Sequence, residues 1–332
     1  MRILVLGGTA FLSAEIVRQA VAGGHNVTCL ARGSAADPPA GAAWLKADRS
    51  LGAGAYDDVE GEWDEVIDVA RDPVPAREAL DALAHRTAHW TFVSSCSVYA
   101  DASLPGAAED AGLLPALAPG TPSTPENYGE SKVAIEEATV GAAGGIAHLC
   151  RAGLIGGPGD GTDRYGYWPA RFARDRNPVI VPAIERHATQ VIDVRDLAAW
   201  ILLAAGQGTT GALNALGDQV PFGEFLGASR QAAGHHGDLV PAPGEWLADQ
   251  GVSPWAGPDS LPLWLPPGHE GFMARSNKAA VDAGLRNRPW QDTLADTLAD
   301  ERRRGLDRPR KAGLTPQTEA RLAGLLRAGN TN

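Results

Sequence analysis

The sequence predicts an α/β protein, a doubly wound parallel sheet with a smaller second lobe. Short apolar stretches that read as buried strands alternate with helix-like segments through the first half. A glycine-bearing turn, "GGTAFLS" (7–13), joins the first strand to the first helix. Composition agrees: at 332 residues and 44% hydrophobic the chain can bury a sizeable core, so its 40 glycines and 24 prolines mark loops, not disorder.

Ile3 to Leu6 is a compact apolar strand. Phe11, Leu12, Ile16, Ala20 and Val21 fall at helical spacing, and Gly23-Gly24 ends that helix at Ala22. "NVTCLAR" gives the second strand, "AAWLKAD" the third and "DEVIDVA" a fourth without alternation, as in a sheet covered on both faces. "VPAREALDALAHR" returns as a helix and "WTFVSS" as a strand. "STPENYGESKVAIEEA" reads as a helix with Thr124 as N-cap and Pro125 at its first position, followed by the strand "AHLCRAGLI". Repeated strand–helix units imply right-handed crossovers and a Rossmann-type sheet.

From Gly156 the texture changes to loops with aromatics, and Val220 to Pro267 is rich in Pro, Gly and Trp. Between them "QVIDVRDLAAWILLAA" predicts a return to the sheet and a further helix. The expected division is a dinucleotide domain over 1–157 and 188–217, a substrate lobe over 158–187 and 218–305, and a polar tail over 306–332 with a helix near 316–327.

A net charge of −11 and a pI near 5.2 disfavour nucleic acid and anionic membranes as partners. Cys29, Cys96 and Cys150 lie far apart with no CxxC spacing, which argues against a disulfide framework or a zinc site and fits a reducing cytoplasm. No apolar run reaches the roughly 18 residues of a membrane span, and the N-terminus lacks a signal-like stretch. The expectation is a cytoplasmic protein, monomer or homodimer, without a metal.

Within "GGTAFLS", Gly7 can turn the chain, and the helix from Phe11 offers free N–H groups and a positive dipole end to a pyrophosphate. Ala10 and Ser13 stand where a dinucleotide fingerprint has its other two glycines. Alone, the turn fits an ordinary strand–helix junction equally well. The second signal is stronger. "VSSCSVYA" (93–100) is followed by "YGESK" (128–132), which sets Tyr128 and Lys132 one helical turn apart on one face. A lysine cation favours the phenolate form of a neighbouring tyrosine, and such a phenol exchanges a proton with a carbonyl or hydroxyl. Ser95, at a strand's end, can hydrogen-bond the same oxygen. YxxxK also arises by chance on helices; its position in the strand–helix order lifts it above that.

These segments, with "RAGLIGGPGD" and "VIDVRDLA", resemble the extended short-chain dehydrogenase/reductase family, its NAD-dependent epimerase/dehydratase group, over roughly residues 1 to 300. The resemblance implies a Ser95, Tyr128, Lys132 catalytic set, with Lys132 also on the nicotinamide ribose. It implies that Asp48 contacts adenine, that Ala70 lines the cofactor, and that Gly7, Thr9, Ala10, Phe11 and Leu12 form the phosphate turn. Members beginning GGTxFLG already lack the middle glycine; Ser13 is the rarer departure.

The second strand ends at Ala31 with no carboxylate to accept from the ribose hydroxyls; Arg32 follows, with Ser34 beyond. That favours NADP over NAD, with NAD as the alternative, because a guanidinium suits a 2′-phosphate; a stacking or solvated Arg32 is the plain alternative. The expected activity is hydride transfer with a small carbonyl or alcohol substrate. A sugar-nucleotide epimerase and a non-catalytic dinucleotide sensor are the alternatives. A 4,6-dehydratase fits less well, because Cys96-Ser97 replace the Asp-Glu pair of those relatives.

Other side chains carry weaker expectations. Glu136-Glu137 read as a solvated helix face, His235-His236 as a solvated loop, and Arg275 and Asn277 as a substrate contact or a surface turn. Tyr165, Tyr167, Trp168, Trp246, Trp255 and Trp264 read as core more than as pocket.

Overall fold

The computed structural model describes residues 1–183 and 187–329. Strands β1 (Arg2–Leu6), β2 (Asn26–Ala31), β3 (Ala43–Lys46), β4 (Glu65–Asp68), β5 (Trp90–Ser95), β6 (Ala147–Ala152) and β10 (Gly211–Ala215) form one sheet in the order β10-β6-β5-β4-β1-β2-β3. Every pairing in it is parallel. Strand order thus reverses direction beside β1, the switch point where such sheets bind ligands at their C-terminal edge.

The two-residue period of a strand explains the two-sided core. In β1, Ile3 and Val5 join Ile16, Val17 and Ala20 of α1 (Phe11–Ala22) and Leu197 and Ile201 of α5 (Val194–Gln207) on one face. Leu4 and Leu6 meet Ala79 and Leu80 of α2 (Pro73–Leu83) and Ile135 of α3 (Tyr128–Ala143) on the other. Ile16 and Val17 are fully buried, and each such burial contributes roughly 1.5–3 kcal/mol. Helix α1 ends where the glycines predicted: the Gly23 N–H donates to Gln19 O, and Gly24 takes φ 77°.

A third apolar core forms around α4 (Arg164–Arg174), α6 (Phe222–Ala233), the parallel pair β8 (Val179–Pro182) and β12 (Leu239–Ala242), and α9 (Trp290–Arg304). Trp168 meets Phe222 edge-on, with ring centroids 5.7 Å apart, and its indole donates to Pro262 O. Tyr165, Tyr167, Trp168 and Trp264 are all buried here as core residues. Helix α10 (Pro316–Gly329) adds Leu322, fully buried, so the C-terminal segment is not polar throughout.

Several expectations are corrected. The single strand expected over 147–155 is two. Gly153 diverts the chain, and β7 (Leu154–Gly156) joins β9 (Ala188–Asp193) and β11 (Gln219–Pro221) in a separate three-stranded sheet. A Cβ at Gly153 would lie 2.5 Å from Leu216 Cδ2. The segment 190–193 therefore does not return to the main sheet; β10 takes that edge. Helix α3 starts at Tyr128, not Pro125, because the Asn127 side chain accepts from Thr124 N–H at 2.7 Å and donates to Pro122 O, closing a loop before the helix.

Buried charge accounts for the rest. Glu136 is 3% exposed and takes Nε and Nη2 of Arg151 at 3.0 and 2.8 Å, plus the Ser94 hydroxyl at 2.6 Å. Glu137 is exposed, as expected. His235 is buried against Phe172 O and Asp175 O. Arg275 is buried over the Tyr99 ring and donates to Asp101 O, so it is no surface turn. Asn277 donates to Leu216 O. Among the described residues no helix is long and apolar enough to cross a membrane, and no three His, Cys, Asp or Glu side chains gather as a metal would require.

Candidate active site

The residues singled out above converge on the C-terminal edge of the main sheet. Beyond β1, Gly7 and Gly8 take φ 133° and 98°, a region closed to most side chains. A Cβ on Gly7 would lie 3.0 Å from Val69 Cγ2 and 3.7 Å from Ser13 Cβ. Ser13 lies at ordinary van der Waals distance from that point, so the serine that replaces the fingerprint's third glycine fits beneath the turn. Ser13 turns its hydroxyl inward to Ala10 O at 2.8 Å. The N-cap Ala10 is extended, and no side chain caps α1. Its first-turn N–H groups thus lack a side-chain acceptor, which suits an incoming phosphate. Phe11 sits at φ 22°, and Leu12 points into the core, leaving its backbone to face the turn.

Thr9, Phe11, Asp37, Pro39, Pro158 and Gly159 line a cleft of about 650 Å³ beside that turn. A larger cleft of about 950 Å³, between Val240, Trp246 and Leu326, contains none of the site residues. Arg32 follows β2, exposed, with Nη1 3.7 Å from Asp48 Oδ2. The Ser50 hydroxyl and N–H, and then Arg32, hold the Asp48 carboxyl below the usual range.

The centre of the site is built outward from Lys132. It is 3% exposed, and its Nζ donates to Ala70 O at 2.7 Å and Val93 O at 2.8 Å. Burial lowers its pKa to about 7, and the Arg71 charge pushes the same way. Ala70 is itself fixed: its N–H donates to Asp68 Oδ1, and Asp68 holds Arg49 through both oxygens at 2.7 and 3.0 Å. Neither Asp68 nor Arg49 was singled out from the sequence, although "VIDVA" ends a strand on an aspartate.

Tyr128 is the first residue of α3, half-buried, with Lys132 Nζ 5.7 Å from its ring centroid. Gly129 brings that turn onto the segment after β5, where a Cβ would lie 2.4 Å from Ser97 O. Ser95 ends β5 and caps the short helical turn Cys96–Val98. Its hydroxyl accepts from Ser97 N–H and donates to Ser97 Oγ, both at 3.1 Å. Cys96 is buried and its thiol is pushed up to about 12, chiefly by burial, so it is no proton carrier near neutrality.

No protein-family model matches the chain, and no curated protein sequence matches it. Its fold, however, is shared with solved structures. UDP-glucuronic acid 4-epimerase from Bacillus cereus, in complex with NAD, is 13% identical with a TM-score of 0.67, covering 91% of this chain and 99% of that one. The UDP-glucose 4-epimerase of Thermus thermophilus, also in complex with NAD, is 20% identical with a TM-score of 0.62 over 91% and 99%. The Thermotoga maritima UDP-glucose 4-epimerase with UDP-glucose is 16% identical with a TM-score of 0.66 over 92% and 99%. The chain thus has the Rossmann-type fold of the NAD-dependent epimerases and dehydratases, the architecture its motifs predicted. At these identities the likeness is one of fold.

Proposed function

We propose that this chain is an NAD(P)-dependent oxidoreductase of the short-chain dehydrogenase/reductase type, acting on the carbonyl or alcohol of a small molecule. The observation that carries this is Lys132, buried between the ends of β4 and β5 with Tyr128 one turn away. The bound nicotinamide supplies or accepts the hydride. In reduction, Tyr128 Oη donates its proton to the substrate oxygen, and Ser95 Oγ turns its proton from Ser97 to the same oxygen. Lys132 supports the charge left on the phenol and has a third N–H for a ribose hydroxyl.

For the cofactor, the uncapped α1, the bare Gly7 and the Ala70 turn form a cradle that suits a dinucleotide. We infer NADP over NAD from Arg32 and from Ala31, which offers no carboxylate to the ribose. Asp48, 3.7 Å from Arg32, shares its charge and limits that preference.

Epimerisation of a sugar nucleotide is the second reading, favoured by neighbours matched over almost their whole length. Elimination is disfavoured, since Cys96 and Ser97 offer no carboxylic acid. The core around Trp168 and Phe222 supports a substrate lobe over 158–187 and 218–305, beside a dinucleotide domain over 1–157 and 188–217. Three unpaired buried cysteines suit a cytoplasmic location.

Nicotinamide fluorescence on titrating NADPH and NADH, followed by turnover on ketones and on UDP-sugars, tests the reading. Saturable binding with ketone reduction supports it. Binding with UDP-sugar interconversion alone moves the assignment to the epimerase, and absence of dinucleotide binding overturns both.

A further inference from the structure

Glu136, Arg151, Tyr99 and Asn214 are buried next to Ser95 and take no part in the chemistry described above. Glu136 lies one helical turn beyond Lys132 on α3, on the side of the helix that faces the sheet. Its carboxylate accepts from the Ser94 hydroxyl as well as from Nε and Nη2 of Arg151. Arg151 Nη1 donates in turn to Tyr99 Oη at 3.0 Å and to Glu109 O at 3.2 Å. Tyr99 Oη passes its own proton to Asn214 Oδ1 at 2.6 Å, and burial pushes that phenol up to about 12, so it stays a donor.

The same ion pair reaches both sides of Ser95. Ser94 is held by Glu136, and the Cys96 thiol donates to Arg151 O at 3.4 Å. Strands β5 and β6 run parallel here with Ser94 opposite Arg151, so the pair joins α3, β5 and β6 beside the site. A buried ion pair is often no more stabilising than apolar residues of the same volume. What it adds is direction, because carboxylate and guanidinium bond along fixed lines. Here those lines end on the two residues that flank Ser95.

We propose that Glu136 and Arg151 are positioning residues, which together fix the end of β5 and so set where Ser95 stands relative to Tyr128. Neither touches the substrate; they act through Ser94 and Cys96. The inference rests on the reading of Ser95 and Tyr128 as the two hydroxyls that meet one substrate oxygen.

The test uses the full chain and two variants. Ser94→Ala removes one hydroxyl and leaves the ion pair in place; Glu136→Gln removes the charge. The first readout is the rate at which dithiodipyridine labels Cys96, located by mass spectrometry, with Cys29 of β2 as internal control, since both thiols are buried and unpaired. Relative to Cys29, Cys96 is expected to label about 10-fold faster in Ser94→Ala and faster still in Glu136→Gln. A general loss of stability speeds both cysteines alike. The second readout is the KM-against-kcat split on a substrate found by screening. In Ser94→Ala, kcat should fall about 10-fold while KM and NADPH affinity stay within about twofold. Equal acceleration of Cys96 and Cys29, Cys96 labelling unchanged in Ser94→Ala, or a wild-type kcat in that variant overturns the proposal. Should Glu136→Gln fail to fold, Ser94→Ala decides alone. Labelling needs no turnover, so a chain without oxidoreductase activity leaves that result standing and counts against the activity alone.

Discussion

Lys132 and Ala70 meet at 2.7 Å, a buried ammonium donating to the carbonyl that closes β4. The contact joins the helix that carries Tyr128 to the strand edge where the cofactor is expected. Burial leaves Lys132 poised near neutrality, opposing its charge while Asp68 favours it.

Burial lowers the Lys132 pKa to about 7 in the native state, whereas an unfolded lysine titrates near ~10.4. Below pH 7 both states hold the proton and the burial penalty is constant. Above it the native state releases the proton while the unfolded chain keeps it, so this group adds up to about 1.4 kcal/mol of stability per pH unit until about pH 10. Lys132→Met lacks that slope. Denaturant titrations of both proteins at pH 7 and pH 9 measure it; parallel curves count against a buried, titrating Lys132.

Arg49→Met leaves Asp68, 1% exposed, as an unpaired buried charge. Loss of one partner of such a pair costs about 3–5 kcal/mol. The Ala70 turn loosens with it, so NADPH affinity falls as well. A variant with wild-type melting temperature and wild-type affinity contradicts the chain of contacts from Arg49 through Asp68 to Ala70.

Gly129→Ala tests the close approach of α3 to the segment after β5. Its Cβ would lie 2.4 Å from Ser97 O and 2.5 Å from Leu114 Cδ1, so the first turn of α3 must back away. Alanine's helix advantage of about 1 kcal/mol does not offset that overlap, and melting temperature and turnover are both expected to fall, turnover by up to about 100-fold. Full activity in this variant means that this approach does not set the position of Tyr128.

Arg32→Ala tests the cofactor preference. NADPH should weaken severalfold or more while NADH changes little, since only the former brings a 2′-phosphate to the guanidinium. Equal affinities for the two in the unmutated protein refute the preference and leave Arg32 as the partner of Asp48 alone.

What was legible in the sequence followed local rules. Helix α1 showed itself through spacing and its terminal glycines, and Tyr128 with Lys132 through one helical turn. What was hidden depended on distant partners. Glu136 looks like a surface residue until Arg151 of β6 meets it, 15 positions away, and nothing local marks that pairing. Strand β10 is five residues, and its exposed first residue Gly211 gives no apolar run. Thr124 and Asn127 are both competent caps, and a single side-chain bond from Asn127 to Thr124 N–H decides between them.

The central claim is that Tyr128 transfers the substrate proton, and Tyr128→Phe addresses it most directly. The change keeps the ring and removes only the hydroxyl. The measurement is the rate of NADPH oxidation, wild type against variant, on a carbonyl substrate found by panel screening. With NADPH affinity retained, the rate should fall by about 100-fold or more, the share that a positioned acid contributes. A Phe variant that turns over at close to the wild-type rate contradicts the account.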